Sequence, residues 1–206
     1  MEQQMQFQPH LPRIGVLALM LEAYEPIFPG ITAQQTAYVR EVLDSLKSAA
    51  EFRFEALALN RGDIERMTAQ YNREGLDGIL ILLCSYSQGQ YLVRAMQENR
   101  LPLALALIQP DETVGDDFEE LELTVNQGIH GSQDNANALL RAGIPCVFYA
   151  GSRFDGKLLS FVADFGAAAP AAIAATHPIA RPSRRTTDRT APTDLRKSRT
   201  SASISY

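Results

Sequence analysis

Short runs of consecutive apolar residues, separated by amphipathic stretches, constrain this chain more than any other feature. Gly78-Ile79-Leu80-Ile81-Leu82-Leu83-Cys84 is the strongest, and Ile14 to Met20 and Leu103 to Ile108 are built alike. A strand reads as unbroken apolar sequence when both its faces are buried, as in a parallel sheet covered by helices on each side. The stretches between are helical in period. Thr32 and Gln35 have the spacing of a capping box, and behind them Val39, Leu43, Tyr38, Val42 and Leu46 make one apolar face. Phe52 to Leu59 is expected to be a second strand. Asn60-Arg61-Gly62-Asp63 turns into a helix with Ile64, Met67 and Tyr71 on one side, closed by Gly75. Helices are expected over Ser87–Asn99, over Ser132–Arg141 with Ser132 as cap, and from Leu158 to Phe165. Ile144 to Tyr149 supplies a fifth strand. The acidic stretch Asp116 to Glu122 reads equally as loop or short helix.

Alternation of strand and helix with buried strands predicts a doubly wound α/β domain with a mostly parallel five-stranded sheet and helices on both faces. Right-handed crossovers leave few topologies, and the flavodoxin-like order 2-1-3-4-5 suits the element count. In that order the carboxyl ends of strands one and three flank the switch point where ligands bind. Glu22 and Tyr24 follow strand one, Ser85, Tyr86 and Ser87 follow strand three, and Gln109 follows strand four. Hydroxyls, an amide and a carboxylate there suit a polyhydroxylated ligand better than a phosphate.

Charge divides the chain. From Thr176 to Tyr206 seven basic residues stand against two acidic ones, which leaves 12 basic and 22 acidic residues in 1–175. Rich in Ser, Thr and Pro and poor in large apolar residues, the tail cannot bury enough surface to offset its ordering entropy. The chain therefore divides into a flexible start (1–11), an α/β domain (12–167) and a disordered basic tail (168–206), which a reading-frame slip or a natural extension would equally produce. A basic arm is the other reading, but no aromatics interleave with the arginines, and neither nucleic acid nor membrane is expected as a partner. Cys84 and Cys146 both lie in apolar runs, which excludes a disulfide framework and points to a cytoplasmic address. No apolar stretch approaches a membrane span, and the first residues lack a signal-peptide pattern.

Several chemistries lack their signatures. There is no G-x-G-x-x-G after strand one, no P-loop and no G-x-S-x-G elbow. His10, His130 and His177 are far apart and none pairs with a carboxylate at helical spacing, so no metal ligand set is legible in this chain. What remains is Asn126-Gln127-Gly128-Ile129-His130-Gly131, two amides and an imidazole among glycines ahead of a helix start. Glycines permit close backbone approach and positive φ, and a helix start offers free N–H donors. A loop whose amides satisfy local backbone groups is the plainer reading.

The stretch Leu123 to Gly131 resembles the N-Q-x-x-H-G signature in the N-terminal domain of the L-arabinose and L-fucose isomerase family. Gly78 to Ser87, Pro102 to Gln109 and Val147 to Gly151 are similar to the strands around that signature, so the likeness runs over about residues 12–165. It implies the sugar-contacting domain of a metal-dependent aldose–ketose isomerase, acting in carbohydrate metabolism within a homo-oligomer. Sugar contacts from His130, Gln127 and Asn126, with Tyr24, Ser85, Tyr86 and Gln109 around them, follow from the resemblance. Mn2+ is the metal expected of the full-length family. The catalytic glutamates and metal-binding histidines of that family have no counterpart here, so a truncated domain inactive by itself is expected, with no cofactor in this chain. A stand-alone sugar-binding or sensory module is the alternative.

Overall fold

The computed structural model describes residues 10–176, with side chains described through residue 173. Five parallel strands form one sheet in the order β2-β1-β3-β4-β5. They are β1 (Arg13–Leu19), β2 (Glu51–Arg53), β3 (Gly78–Leu83), β4 (Leu103–Leu107) and β5 (Val147–Ala150). The helices are α1 (Ile31–Ser45), α2 (Arg61–Glu74), α3 (Gln90–Glu98), α4 (Glu120–Val125), α5 (Gly128–Arg141) and α6 (Lys157–Thr176), with a 3-10 turn at Glu22–Tyr24. The doubly wound fold and its strand order are those the apolar runs predict.

Alternation along each central strand sorts side chains into two cores. Ile14, Val16, Ala18, Leu80, Leu82, Ala104 and Ala106 meet Tyr38, Val39 and Val42 of α1 and Leu158 and Val162 of α6. Leu17, Leu19, Ile79, Ile81, Leu83, Leu103 and Leu105 meet Ile64, Met67 and Tyr71 of α2, Leu92 and Met96 of α3 and Leu139 of α5. All six residues of β3 are buried, and full burial of a Leu or Ile contributes roughly 1.5–3 kcal/mol. The middle strand, with β1, whose last six residues are also buried, is thus a principal source of cohesion. Tyr71 crosses under the sheet and donates its hydroxyl to the Val16 carbonyl at 2.9 Å.

Element ends differ from the sequence reading where side chains from elsewhere intervene. Helix α1 begins at Ile31 behind Gly30 (φ 94°), and Thr32 does not cap it. Instead the Glu25 carboxylate reaches across the loop and accepts from the N–H of Gly30 (2.7 Å) and of Thr32 (2.9 Å). The second strand stops at Arg53, because it lies at a sheet edge with a partner on one side only, and resumes as a single bridge between Leu19 and Ala58. Asn60 caps α2 by accepting from the Asp63 N–H, and Gly75 (φ 62°) ends that helix as expected. The acidic stretch resolves into α4. Helix α5 starts four residues before Ser132, which is buried inside it rather than at its cap. Helix α6 continues to Thr176, so residues 168–176, expected to be disordered, belong to the folded body. Its alanines explain the difference: they are poor in large apolar area but the strongest helix formers. Residues 177–206 lie outside the described residues.

Candidate functional site

The switch point between β1 and β3 is filled by the chain itself. The α4–α5 junction passes over the carboxyl ends of β3 and β4, and two glycines let it come that close. A Cβ on Gly128 would lie 2.6 Å from the Leu83 carbonyl oxygen, and one on Gly131 would lie 2.8 Å from that of Ser85. Neither glycine has positive φ; backbone approach is their whole use.

Four of the expected site residues are drawn together in this closure. Ser85, fully buried, donates to the Thr124 carbonyl at 2.7 Å. Tyr24 donates to Gln127 Oε1 at 3.3 Å, and burial raises the pKa of its phenol while Ser85 beside it opposes the rise. Asn126, only 6% exposed, donates to the Glu122 carbonyl (2.9 Å) and to the Asp111 carboxylate (2.7 Å). Its Oδ1 accepts from the Asp111 N–H at 3.1 Å. Asn126 therefore acts as a clasp that fixes the loop after β4 against α4. Tyr86 is tied to Asp134 of α5 at 2.9 Å, and that carboxylate also accepts from the Gly89 N–H. His130 stands exposed in the first turn of α5, apart from this network.

The open cleft lies further along the sheet, at the carboxyl ends of β4 and β5. It encloses about 210 Å3 and is lined by Gln109, Asp111, Glu112, Ile129, Ser152, Arg153 and Phe154, among others. Of the expected residues only Gln109 borders it. Ser152, Arg153 and Phe154 were not anticipated from sequence, although their position directly after β5, equivalent to that of Gln109 after β4, marks them as tip residues.

Arg153 organises the cleft. Its Nε donates to the Pro110 carbonyl at 3.1 Å. Its guanidinium carbon lies 4.2 Å from the Phe154 ring centre and 5.4 Å from that of Tyr38. The nearest carboxylate is Glu41, 3.7 Å from Nη1, well beyond the roughly 2.7–2.9 Å of a strong charge-assisted bond. One edge of the fork is thus anchored while the other keeps only a loose partner. Behind it, the Tyr38 hydroxyl and Gln35 Oε1 are buried without hydrogen-bond partners; burial, reinforced by Cys84, pushes the Tyr38 phenol upward despite Arg153. Burial also raises the Cys84 thiol and takes that of Cys146 up to about 12. Among the described residues no group of three or more His, Cys, Asp or Glu could hold a metal ion, and no helix is long and apolar enough to cross a membrane.

No family model matches the chain, and no curated protein matches it. A solved structure similar to part of it is MoaB, a molybdopterin biosynthesis enzyme of Thermus thermophilus. The identity is 16%, covering 75% of this chain and 98% of that one, with a TM-score of 0.29. These findings correct the expected kinship with the arabinose and fucose isomerases. No family model supports it, and a solved structure matched at a TM-score of 0.29 lends it no support. Geometry explains how the signature misled: Asn126 clasps a loop, Gln127 accepts from Tyr24, and the glycines of the motif seat a helix on a strand end. The reading as a truncated isomerase domain, with its place in sugar metabolism, is abandoned, as is the sugar-binding alternative.

Proposed function

We propose that this domain binds a small anionic metabolite in the cleft at the β4 and β5 carboxyl ends. The observation that carries the reading is the Arg153 guanidinium, held from one side by the Pro110 carbonyl and flanked by Phe154 and Tyr38. A planar fork fixed in this way is pre-organised for a carboxylate or phosphate, which it can grip through two parallel bonds. Gln109 and Ser152 line the same cleft and supply neutral hydrogen-bonding groups. Asp111 is engaged by the Asn126 amide, which leaves Glu112 as the acid that would select against the most highly charged ligands. At about 210 Å3 the cleft falls below the roughly 300–1,000 Å3 of sites for drug-sized molecules. It suits a metabolite of a few heavy atoms, or one end of a longer one. A cytoplasmic setting goes with this reading, since both thiols are free.

Thermal-shift and calorimetric titration against a panel of small carboxylates and phosphates tests it. A ligand at a hundred times its Kd stabilises the fold by about 2.7 kcal/mol, a readable rise in melting temperature. Arg153→Lys should weaken that ligand strongly and Gln109→Ala more mildly. A panel in which no anion binds, or binding indifferent to Arg153→Lys, refutes the proposal.

A further inference from the structure

The two edges of the sheet are built differently. At one edge β2 is three residues long and reads Glu51-Phe52-Arg53, with Arg53 ion-paired to Glu74 at 3.4 Å. Shortness and charge are the usual protections against edge-to-edge association. At the other edge β5, one residue longer at four, lacks the charge. From Cys146 to Gly151 the sequence is Cys-Val-Phe-Tyr-Ala-Gly, without charge or proline. Val147 is 49% exposed and Phe148 53%, so apolar side chains stand in solvent on both faces of the strand. An apolar groove of about 700 Å3 continues from its amino end, lined by Met96, Leu101, Pro145, Cys146, Val147 and Phe165, among others. Leu140, 77% exposed, lies just ahead of the Gly143–Val147 stretch that borders this groove.

We infer that β5 pairs antiparallel with β5 of a second copy of this chain, joining two five-stranded sheets into one. A second copy is the occupant that these observations favour. The strand offers the same apolar surface to itself, and a two-fold axis makes one patch serve both partners. Residues 177–206 are a poor cover for it, being dominated by Arg, Ser, Thr and Pro. A two-fold perpendicular to the sheet keeps each side chain on its own face, so residues can oppose only those of equal parity. The Tyr149 hydroxyl is turned back onto the Ser152 carbonyl at 2.8 Å, which leaves Phe148 as the centre. Phe148 then faces its own copy, and Val147 faces Tyr149 of the partner subunit. Four residues of strand fall short of the roughly 1,000 Å2 a specific interface needs; the adjoining groove extends the apolar surface on both copies.

Sedimentation of the full chain over a dilution series should show a reversible monomer–dimer equilibrium. Phe148→Lys should shift it to monomer, with circular dichroism and melting behaviour otherwise kept. In a Cys146→Ser background, Phe148→Cys should cross-link to itself on mild oxidation. Lys47→Cys, exposed at the far end of α1, should not. A monomeric wild type overturns the inference and leaves the edge to a different protein. A dimer that survives Phe148→Lys, or that fails to cross-link through Phe148→Cys, overturns it as well.

Discussion

Replacing Gly128 by alanine tests whether backbone approach explains the glycines of the α4–α5 junction. In an unobstructed helix the change stabilises, because alanine is favoured over glycine by roughly 0.8–1.0 kcal/mol. Here the added Cβ would lie 2.6 Å from the Leu83 carbonyl oxygen and 3.4 Å from that of Ile108. A carbon and a carbonyl oxygen approach to about 3.3 Å at closest, so the helix start must lift by several tenths of an ångström from the end of β3. Both oxygens belong to backbone at the carboxyl ends of β3 and β4, and neither can move aside as a side-chain tip would. Overpacking of this kind costs roughly 1–3 kcal/mol. For a chain of this size that is a fall in melting temperature of roughly 2–12 °C. Urea unfolding followed by circular dichroism gives the free energy directly. Gly62→Ala is the matched control: Gly62 also sits in the first turn of a helix, but its Cβ would meet only the Asn60 side-chain oxygen at 3.3 Å. That change should stay within about 1 kcal/mol of wild type. A Gly128→Ala protein as stable as wild type, or more stable, refutes the close-approach argument.

Glu25→Gln should flatten the acid limb of the stability profile. The Thr32 hydroxyl beside it and the N–H groups of Gly30 and Thr32 hold the Glu25 pKa below its ordinary 4.5. A carboxylate lowered on folding stabilises above its unfolded value, and that contribution disappears as pH falls through the folded one. Urea midpoints measured from neutral pH downward should therefore converge for wild type and Glu25→Gln as pH falls below 4.5; curves that stay parallel would remove Glu25 from its capping role. The Cys84 thiol should react slowly with Ellman's reagent in the folded protein near pH 8 and rapidly once unfolded, because it is fully buried. Burial also raises its pKa, and only the thiolate attacks. Fast native labelling of Cys84 would contradict that burial.

The fold was legible because its signal is local and repeated. Ile14 to Met20, Gly78 to Cys84 and Leu103 to Ile108 each announce a strand buried on two faces, and few topologies accommodate three such strands with helices between them. Element ends were less legible, since side chains distant in sequence decide them. Glu25 replaces the expected Thr32 cap, and the Asn126 clasp and the two glycines bring the α5 start forward to Gly128. The polar groups at the strand ends were found, but composition cannot tell whether such groups face a ligand or one another. Ser85, Asn126, Gln127 and Tyr24 are bonded to other groups of the chain. Gln109 and the unanticipated Arg153 border open space. Nothing in the tripeptide Ser152-Arg153-Phe154 distinguishes it from an ordinary turn until Pro110 and Tyr38 are placed beside it.

Doubly wound sheets ordinarily advertise their binding place through connectivity, at the gap where successive crossovers diverge. In this molecule that gap carries a built-in stopper, contributed by residues that would otherwise have formed its rim. The vacancy has migrated two strands outward, toward the margin where the sheet is least shielded. Any ligand held there would lie near the seam that a second copy could share, so occupancy and self-association would have an opportunity to sense each other.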